Sequence, residues 1–247
     1  MPSGTYVERA YFQDRREVGS FLVSEQTRGT ADDIKNYIKQ HGIESRSLFD
    51  LLDVAKIAFE KENDTEWALK VTSYIKECCR WAIQKGVEVL QMDDLYWKTM
   101  KAEAPYHFES FLFYMEKKRR PEKKFYEPRM RTLKIVVDDL QDLEDGKLDF
   151  YGLSLPPRVG KSTLCIFFLT WVIGRHPESH NAMSGHSGIL ADRFYNDVFK
   201  LTQNEEYTFK EIFPDIDLAN KLYTVCLSKR TLDVHNRIDG IITSIAE

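Results

Sequence analysis

The chain has 247 residues with a net charge of -4, 43% hydrophobic and 30% charged side chains. Such a composition excludes a disordered or low-complexity chain, and it supplies a core for one or two globular domains. The acidic balance excludes a nucleic-acid partner announced by bulk charge; any such contact needs a local basic patch. The longest apolar run, Leu164 to Ile173, spans ten residues and includes Thr170, too short to cross a bilayer. Cys78, Cys79, Cys165 and Cys226 form no C-x-x-C pair and read as reduced thiols of a cytosolic-type compartment. The first residues, MPSGTYVERAYFQDRREVGSF, contain no apolar stretch of the kind a signal peptide needs.

Taken in chain order, the first half predicts helices. ADDIKNYIKQHG follows Thr30, a residue suited to an N-cap, and stops at Gly42. In SRSLFDLLDVAKIAFEKE, the residues Leu48, Leu51, Leu52, Ala55 and Phe59 recur at helical spacing. DTEWALKVTSYIKECCRWAIQKGVEVL is the longest periodic stretch, with Asp64 as a cap and Trp67, Val71, Tyr74, Ile75, Cys78 and Ala82 on one stripe. A further helix is predicted from Met92 to Met115, broken or kinked at Pro105. The charged stretch EKKRRPEKKFYEPRMR then marks a boundary, giving a helical domain over 1–118 and a second domain over 119–247.

Beyond the boundary, Leu133, Val136, Val137, Leu140 and Leu143 predict an amphipathic helix ending at Gly146. DFYGLSL (149–155) reads as a strand, STLCIFFLTWVIG as a buried helix, NAMSG as a second strand and SGILADRFYNDVFKLT as a helix. KLYTVCLS and GIITSIA read as strands joined through RIDG. This alternation predicts an α/β domain with a mainly parallel sheet covered by helices.

The stretch LSLPPRVGKSTLCIFF carries the chemistry. Gly-Lys-Ser-Thr stands at the start of the apolar helix, where helix amides and the helix dipole attract an anion. Gly160 lets the backbone approach phosphate oxygens, Lys161 can reach the β/γ-phosphates, and the Ser162 hydroxyl is placed for Mg²⁺. A bare Gly-Lys-Ser/Thr arises by chance in roughly one chain in ten of this length. The bland alternative is a helix start with Ser162 as its cap and Lys161 in solvent. The glycine that usually opens such a loop is absent, and Leu155 stands in its place.

LPPRVGKST resembles the phosphate loop of the large terminase subunits of tailed bacteriophages, which commonly reads Pro-Pro-Arg-x-Gly-Lys-Ser. AMSGHSGILADRFYNDVF is similar to that family's second conserved segment, and EIFPDIDL to its Phe-Pro segment. FYEPRMRTL lies where the family places its adenine-side motif, with Arg129 near the position usual for a glutamine. The similarity covers roughly residues 120 to 247. It implies a RecA-like P-loop NTPase fold, a nucleotide site at Pro157, Arg158, Val159, Gly160, Lys161, Ser162, Thr163 and Arg129, and ATP with Mg²⁺ as cofactors. Arg158 would be a second cation for the γ-phosphate, acting with Lys161 in phosphoryl transfer, and Ser162 the metal ligand. The implied activity is ATP hydrolysis driving double-stranded DNA into a capsid. The implied partners are DNA, a small terminase subunit, a portal ring and further copies of the chain, in the cytoplasm of a bacterial host and without a membrane.

Paired acids for Mg²⁺ and for the attacking water are missing after the loop. Asp138 and Asp139 in LKIVVDDL precede it and sit in a helical pattern. The chain is therefore expected to end before the acidic motif and the nuclease domain, and to hydrolyse ATP weakly or not at all by itself. His176, His180 and His186 read as surface or structural histidines, with His186 and Ser187 given a place near the γ-phosphate or DNA by the resemblance alone. The run Lys117, Lys118, Arg119, Arg120, Lys123 and Lys124 is either a DNA-backbone contact or a solvated linker. Trp67, Trp81, Trp97, Phe111 and Phe113 read as core. Two other readings stay open: a helicase-type ATPase, and a non-catalytic helical module with a vestigial loop.

Overall fold

The computed structural model describes residues 25–179, 181, 188–216, 223–227, 232–235 and 241–245. The chain divides into two compact units, Met1–Thr99 and Met100–Glu247. The charged stretch around 118, expected to be a boundary, lies within the second of these.

In the first unit, helix α1 covers 25–41 and passes through Thr30, whose hydroxyl donates to the Gln26 carbonyl within the helix. Thr30 is thus an internal helical residue rather than a cap. Helix α2, Ser45–Ile57, runs into a single π-helical turn, Ala58–Glu62. Helix α3, Thr65–Lys85, is capped by Asp64, whose carboxylate accepts from Trp67 N at 3.3 Å. It stops at Gly86, whose φ of 73° suits a residue without a Cβ. The core stripe of α3 is Ala68, Val71, Thr72, Ile75, Cys78, Cys79 and Ala82. Trp81, expected in the core, is 47% exposed. Thr27 and Arg28 of α1 reach Glu62 and Asp64 at 2.5 and 2.6 Å. Helix α4, Val89–Glu103, crosses the point of division.

In the second unit, Pro105 separates α4 from α5, Phe108–Met115, as the break in the pattern predicts. Helix α6, Met130–Glu144, buries Leu133, Val136, Val137 and Leu140. Helix α7, Lys161–Arg175, is the centre of the unit: Trp171 is fully buried and donates its indole N–H to the Ala104 carbonyl at 2.9 Å. Phe108 stands 5.1 Å from the Trp171 ring, and Phe125 stacks on Phe167 at 5.6 Å. Helix α8, Gly188–Gln203, packs on α7, followed by the short helix α9, Phe209–Ile212. Thr208, just before α9, donates its hydroxyl to the Tyr114 carbonyl at 2.6 Å, and Tyr114 donates its own to Glu211 at 2.9 Å.

The predicted RecA-like α/β fold with a mainly parallel sheet is not what the chain adopts. Helix dominates the described residues, and 149–155, expected to be the strand feeding the phosphate loop, has no strand backbone. Gly152 weakens that stretch as a strand, and Pro156 and Pro157 offer no N–H to a ladder. Tyr151 instead hydrogen-bonds Asp139 of α6, which raises its phenol to about 12, burial being the larger cause. NAMSG lies, apart from Asn181, outside the described residues. Among the described residues, strand backbone is confined to β1 (Tyr223–Leu227), β2 (Leu232–His235) and β3 (Ile241–Ile245). Their order is β2-β1-β3, with β1 antiparallel to β2 and parallel to β3. The strands predicted in KLYTVCLS and GIITSIA are β1 and β3, and β2 lies between them in the chain.

One buried carboxylate organises the link from α5 to α6. Glu116, 2% exposed, accepts Phe125 N at 2.8 Å on both oxygens, Tyr126 N at 3.0 Å and an Arg119 N–H at 2.9 Å. Removing it strands two buried amides and a guanidinium. Glu116→Ala is expected to lower stability by about 3 kcal/mol in urea denaturation; an unchanged midpoint would contradict this role.

Cys78, Cys79 and Cys165 are free thiols. Burial raises the thiol pKa of Cys78 and pushes that of Cys79 up to about 12, so the fold disfavours both thiolates. Iodoacetamide at pH 8 should leave both unmodified in the native protein and alkylate both in denaturant, as read by peptide mass spectrometry.

Candidate functional site

The phosphate-loop stretch approaches α7 along the surface. Pro156, Pro157 and Arg158 are exposed, and Val159 and Gly160 are half-buried. Arg158 has φ 67° and Gly160 φ 102°. Left-handed residues in such a turn make successive amides converge, the geometry of an anion-binding concavity. For Arg158, which carries a Cβ, this conformation costs about 1 kcal/mol.

Gly160 is the N-cap of α7, and no side chain caps the helix. Lys161, Ser162 and Thr163 form its exposed first turn. Helical hydrogen bonding begins with Leu164 N donating to the Gly160 carbonyl at 2.9 Å, so the amides before it face outward from the helix end. Behind this turn the helix is anchored by buried Leu164, Ile166 and Phe167.

The loop is seated on the segment that Glu116 holds. A Cβ placed on Gly160 would lie 2.5 Å from Phe125 Cε2 and 3.6 Å from Arg129 Cδ. Arg129 donates to the Phe125 carbonyl at 2.9 Å and lies 5.3 Å from the Phe125 ring centre. The fold therefore brings Arg129 together with Gly160, two of the residues the sequence assigned to one site. Among the described residues, no ion pair engages Arg129, Arg158 or Lys161. Burial raises the thiol pKa of Cys165, one turn into α7, and the Lys161 charge opposes that rise.

The basic run is differently disposed. Lys118 pairs with Glu211 at 2.6 Å, Arg119 with Glu116, Lys123 with Glu206 at 3.7 Å and Lys124 with Glu127 at 2.7 Å. Arg119 also lies 4.7 Å from the Tyr207 ring, and Lys117 5.5 Å from that of Tyr114. These five cations are engaged by neighbours within the fold.

Ser162 offers one exposed oxygen for Mg²⁺. Among the described residues no group of three His, Cys, Asp or Glu side chains could hold a metal ion. The residues present fit Mg²⁺ only as a companion of bound phosphate, the usual manner for this ion at nucleotide sites. Asp138 pairs with Lys134, and Asp139 serves Tyr151. His176 contacts Glu144 at 2.7 Å, beside Arg175 at 3.2 Å, and so ties the end of α7 to the end of α6. His180, His186 and Ser187 lie outside the described residues.

Sequence reasoning missed Glu116 and the part played by Phe125. A lone glutamate preceding KKRR carries no periodic signal, and Phe125 stands in a segment without regular hydrophobic spacing. Comparison of the chain with protein-family models, curated proteins and solved structures finds no match.

Gly160→Ala would combine a left-handed backbone with a collision against Phe125. It should lower stability by about 2 kcal/mol in urea denaturation. An unchanged stability would show that Phe125 does not abut the loop.

Proposed function

We propose that this chain binds the triphosphate of ATP at the start of α7, as the nucleotide-binding part of a DNA-packaging motor of the terminase kind. The observation that carries the reading is the exposed, uncapped first turn Lys161–Thr163, entered through left-handed Arg158 and Gly160. Its chemistry is that of a phosphate cradle: outward amides, a helix dipole and cations that no ion pair engages among the described residues.

In this reading Lys161 neutralises the terminal phosphates, and Arg158 adds a planar donor toward the γ-phosphate. Ser162, with Thr163 beside it, offers hydroxyl oxygen to the accompanying Mg²⁺. Arg129, held over Phe125, lines the nucleotide side of the loop. When bound, Mg²⁺ supplies charge neutralisation between the phosphates. The partners proposed are those the resemblance implies: double-stranded DNA, a small subunit, a portal and other copies of the chain. The reading draws nothing from the fold, because the strands among the described residues form a small mixed sheet and not the mainly parallel sheet expected of such ATPases. For the same reason the helicase-type alternative loses the sheet on which it depended.

A second reading is favoured by a specific observation. Without a strand at 149–155, the loop is not clamped from behind as a nucleotide motor's loop is. The chain would then be a helical interaction module whose loop no longer grips nucleotide.

Thermal unfolding separates the two. Saturating ATP with Mg²⁺ should raise the melting temperature by several degrees, since ligand at a hundredfold its Kd adds about 2.7 kcal/mol. Lys161→Ala should abolish the rise. No rise in the unaltered protein, or an equal rise in Lys161→Ala, would favour the interaction module.

A further inference from the structure

The segment FYEPRMRTL, which the resemblance places on the adenine side of the site, is committed elsewhere in this fold. Phe125 is 8% exposed: its ring stacks on Phe167 with the planes 10° apart, and a Cβ on Gly160 would collide with its Cε2 edge. Tyr126 is fully buried, donates its hydroxyl to Glu109 at 2.6 Å and packs edge-on against Phe113 at 5.1 Å. Glu127 pairs with Lys124. With both aromatic rings of the segment buried, neither presents an open face on which a purine could stack. Such stacking ordinarily strengthens the binding of a base by about tenfold or more.

Arg129 is disposed differently. It is exposed, yet anchored: one guanidinium N–H donates to the Phe125 carbonyl at 2.9 Å, and the group lies 5.3 Å from the Phe125 ring centre. Its Cδ would stand 3.6 Å from a Cβ on Gly160. That position is at the phosphate end of the loop, because Gly160 directly precedes Lys161 and caps α7. Arg158 and Lys161 stand on either side of Gly160 in the chain. Three cations from two separate segments are thus gathered at one glycine. A guanidinium carries five N–H donors in a rigid fork, and with one spent on Phe125 the rest remain for phosphate oxygens.

We propose that the site recognises the triphosphate chain and not the base, so that its ligands are nucleoside triphosphates of any base and inorganic tripolyphosphate. The inference rests on the reading of the α7 head as a phosphate site and names what that site selects. Arg129 is then a phosphate ligand rather than a base-side residue. A triphosphate brings several negative charges, which the three cations and the outward amides of α7 match. Adenine and guanine differ only in donors and acceptors on an uncharged ring, and the buried rings of Phe125 and Tyr126 do not read them.

The test is isothermal titration calorimetry of the full chain, in the presence of Mg²⁺, with ATP, GTP and inorganic tripolyphosphate. The three should bind with dissociation constants within about threefold of one another. Saturation with tripolyphosphate should remove the heat of ATP binding. Arg129→Gln should weaken all three about tenfold, tripolyphosphate included. ATP binding about tenfold more tightly than GTP or tripolyphosphate would overturn the inference and leave the nucleotide reading standing. Tripolyphosphate that fails to displace ATP, or an Arg129→Gln variant weakened toward the nucleotides alone, would do the same. Binding of none of the three would overturn the phosphate-site reading and this inference together.

Discussion

The buried carboxylate of Glu116 is the constraint on which the second unit's candidate site depends. Burying a lone charge is costly, so its oxygens must be fully engaged. Here the engagement is with the amides of Phe125 and Tyr126 and with Arg119. That arrangement turns a segment rich in lysine and arginine back toward α7. Phe125 then lies against Phe167 on one side and Gly160 on the other. The shape of the loop before α7 follows from a hydrogen-bonding requirement met at a distance from it.

The same segment explains where the positive charge goes. Lys118, Arg119, Lys123 and Lys124 are drawn into pairs with Glu211, Glu116, Glu206 and Glu127. Apart from the buried Arg119–Glu116 pair, these pairs individually contribute little stability, about 0–1 kcal/mol each. Their larger effect is to withdraw cations from the surface field. What stands out by contrast is the group Arg129, Arg158 and Lys161 around an uncapped helix start.

Helices were legible because their signals are local. The spacing of Leu133, Val136, Val137 and Leu140 marked α6, Asp64 marked the start of α3, and Pro105 marked the break before α5. The stretch 149–155 misled because a strand's identity depends on a neighbour. Its aromatic, apolar residues suit a strand, but a phenol–carboxylate contact with α6 and two following prolines give it another course. Thr30 misled for a related reason: a hydroxyl that suits a cap serves equally inside a helix by donating one turn back. At the candidate site, Gly160 and Lys161 were legible from a short motif. Their seat on Phe125 was not, because Phe125 reaches them only through the folding of Glu116. Trp81, on a helical stripe of aromatics, is exposed because the apolar face of α3 turns past it toward Cys78, Cys79 and Ala82.

The proposed phosphate site is formed by the main-chain amides at the head of α7. The most direct measurement is the amide spectrum of the 15N-labelled chain during titration with ATP and Mg²⁺. Large, saturable shifts are expected at Gly160, Lys161 and Ser162, with smaller ones at Phe125 and Arg129. Saturable shifts elsewhere with these amides unmoved, or no shift at any concentration that saturates ordinary ATP-binding proteins, would contradict it.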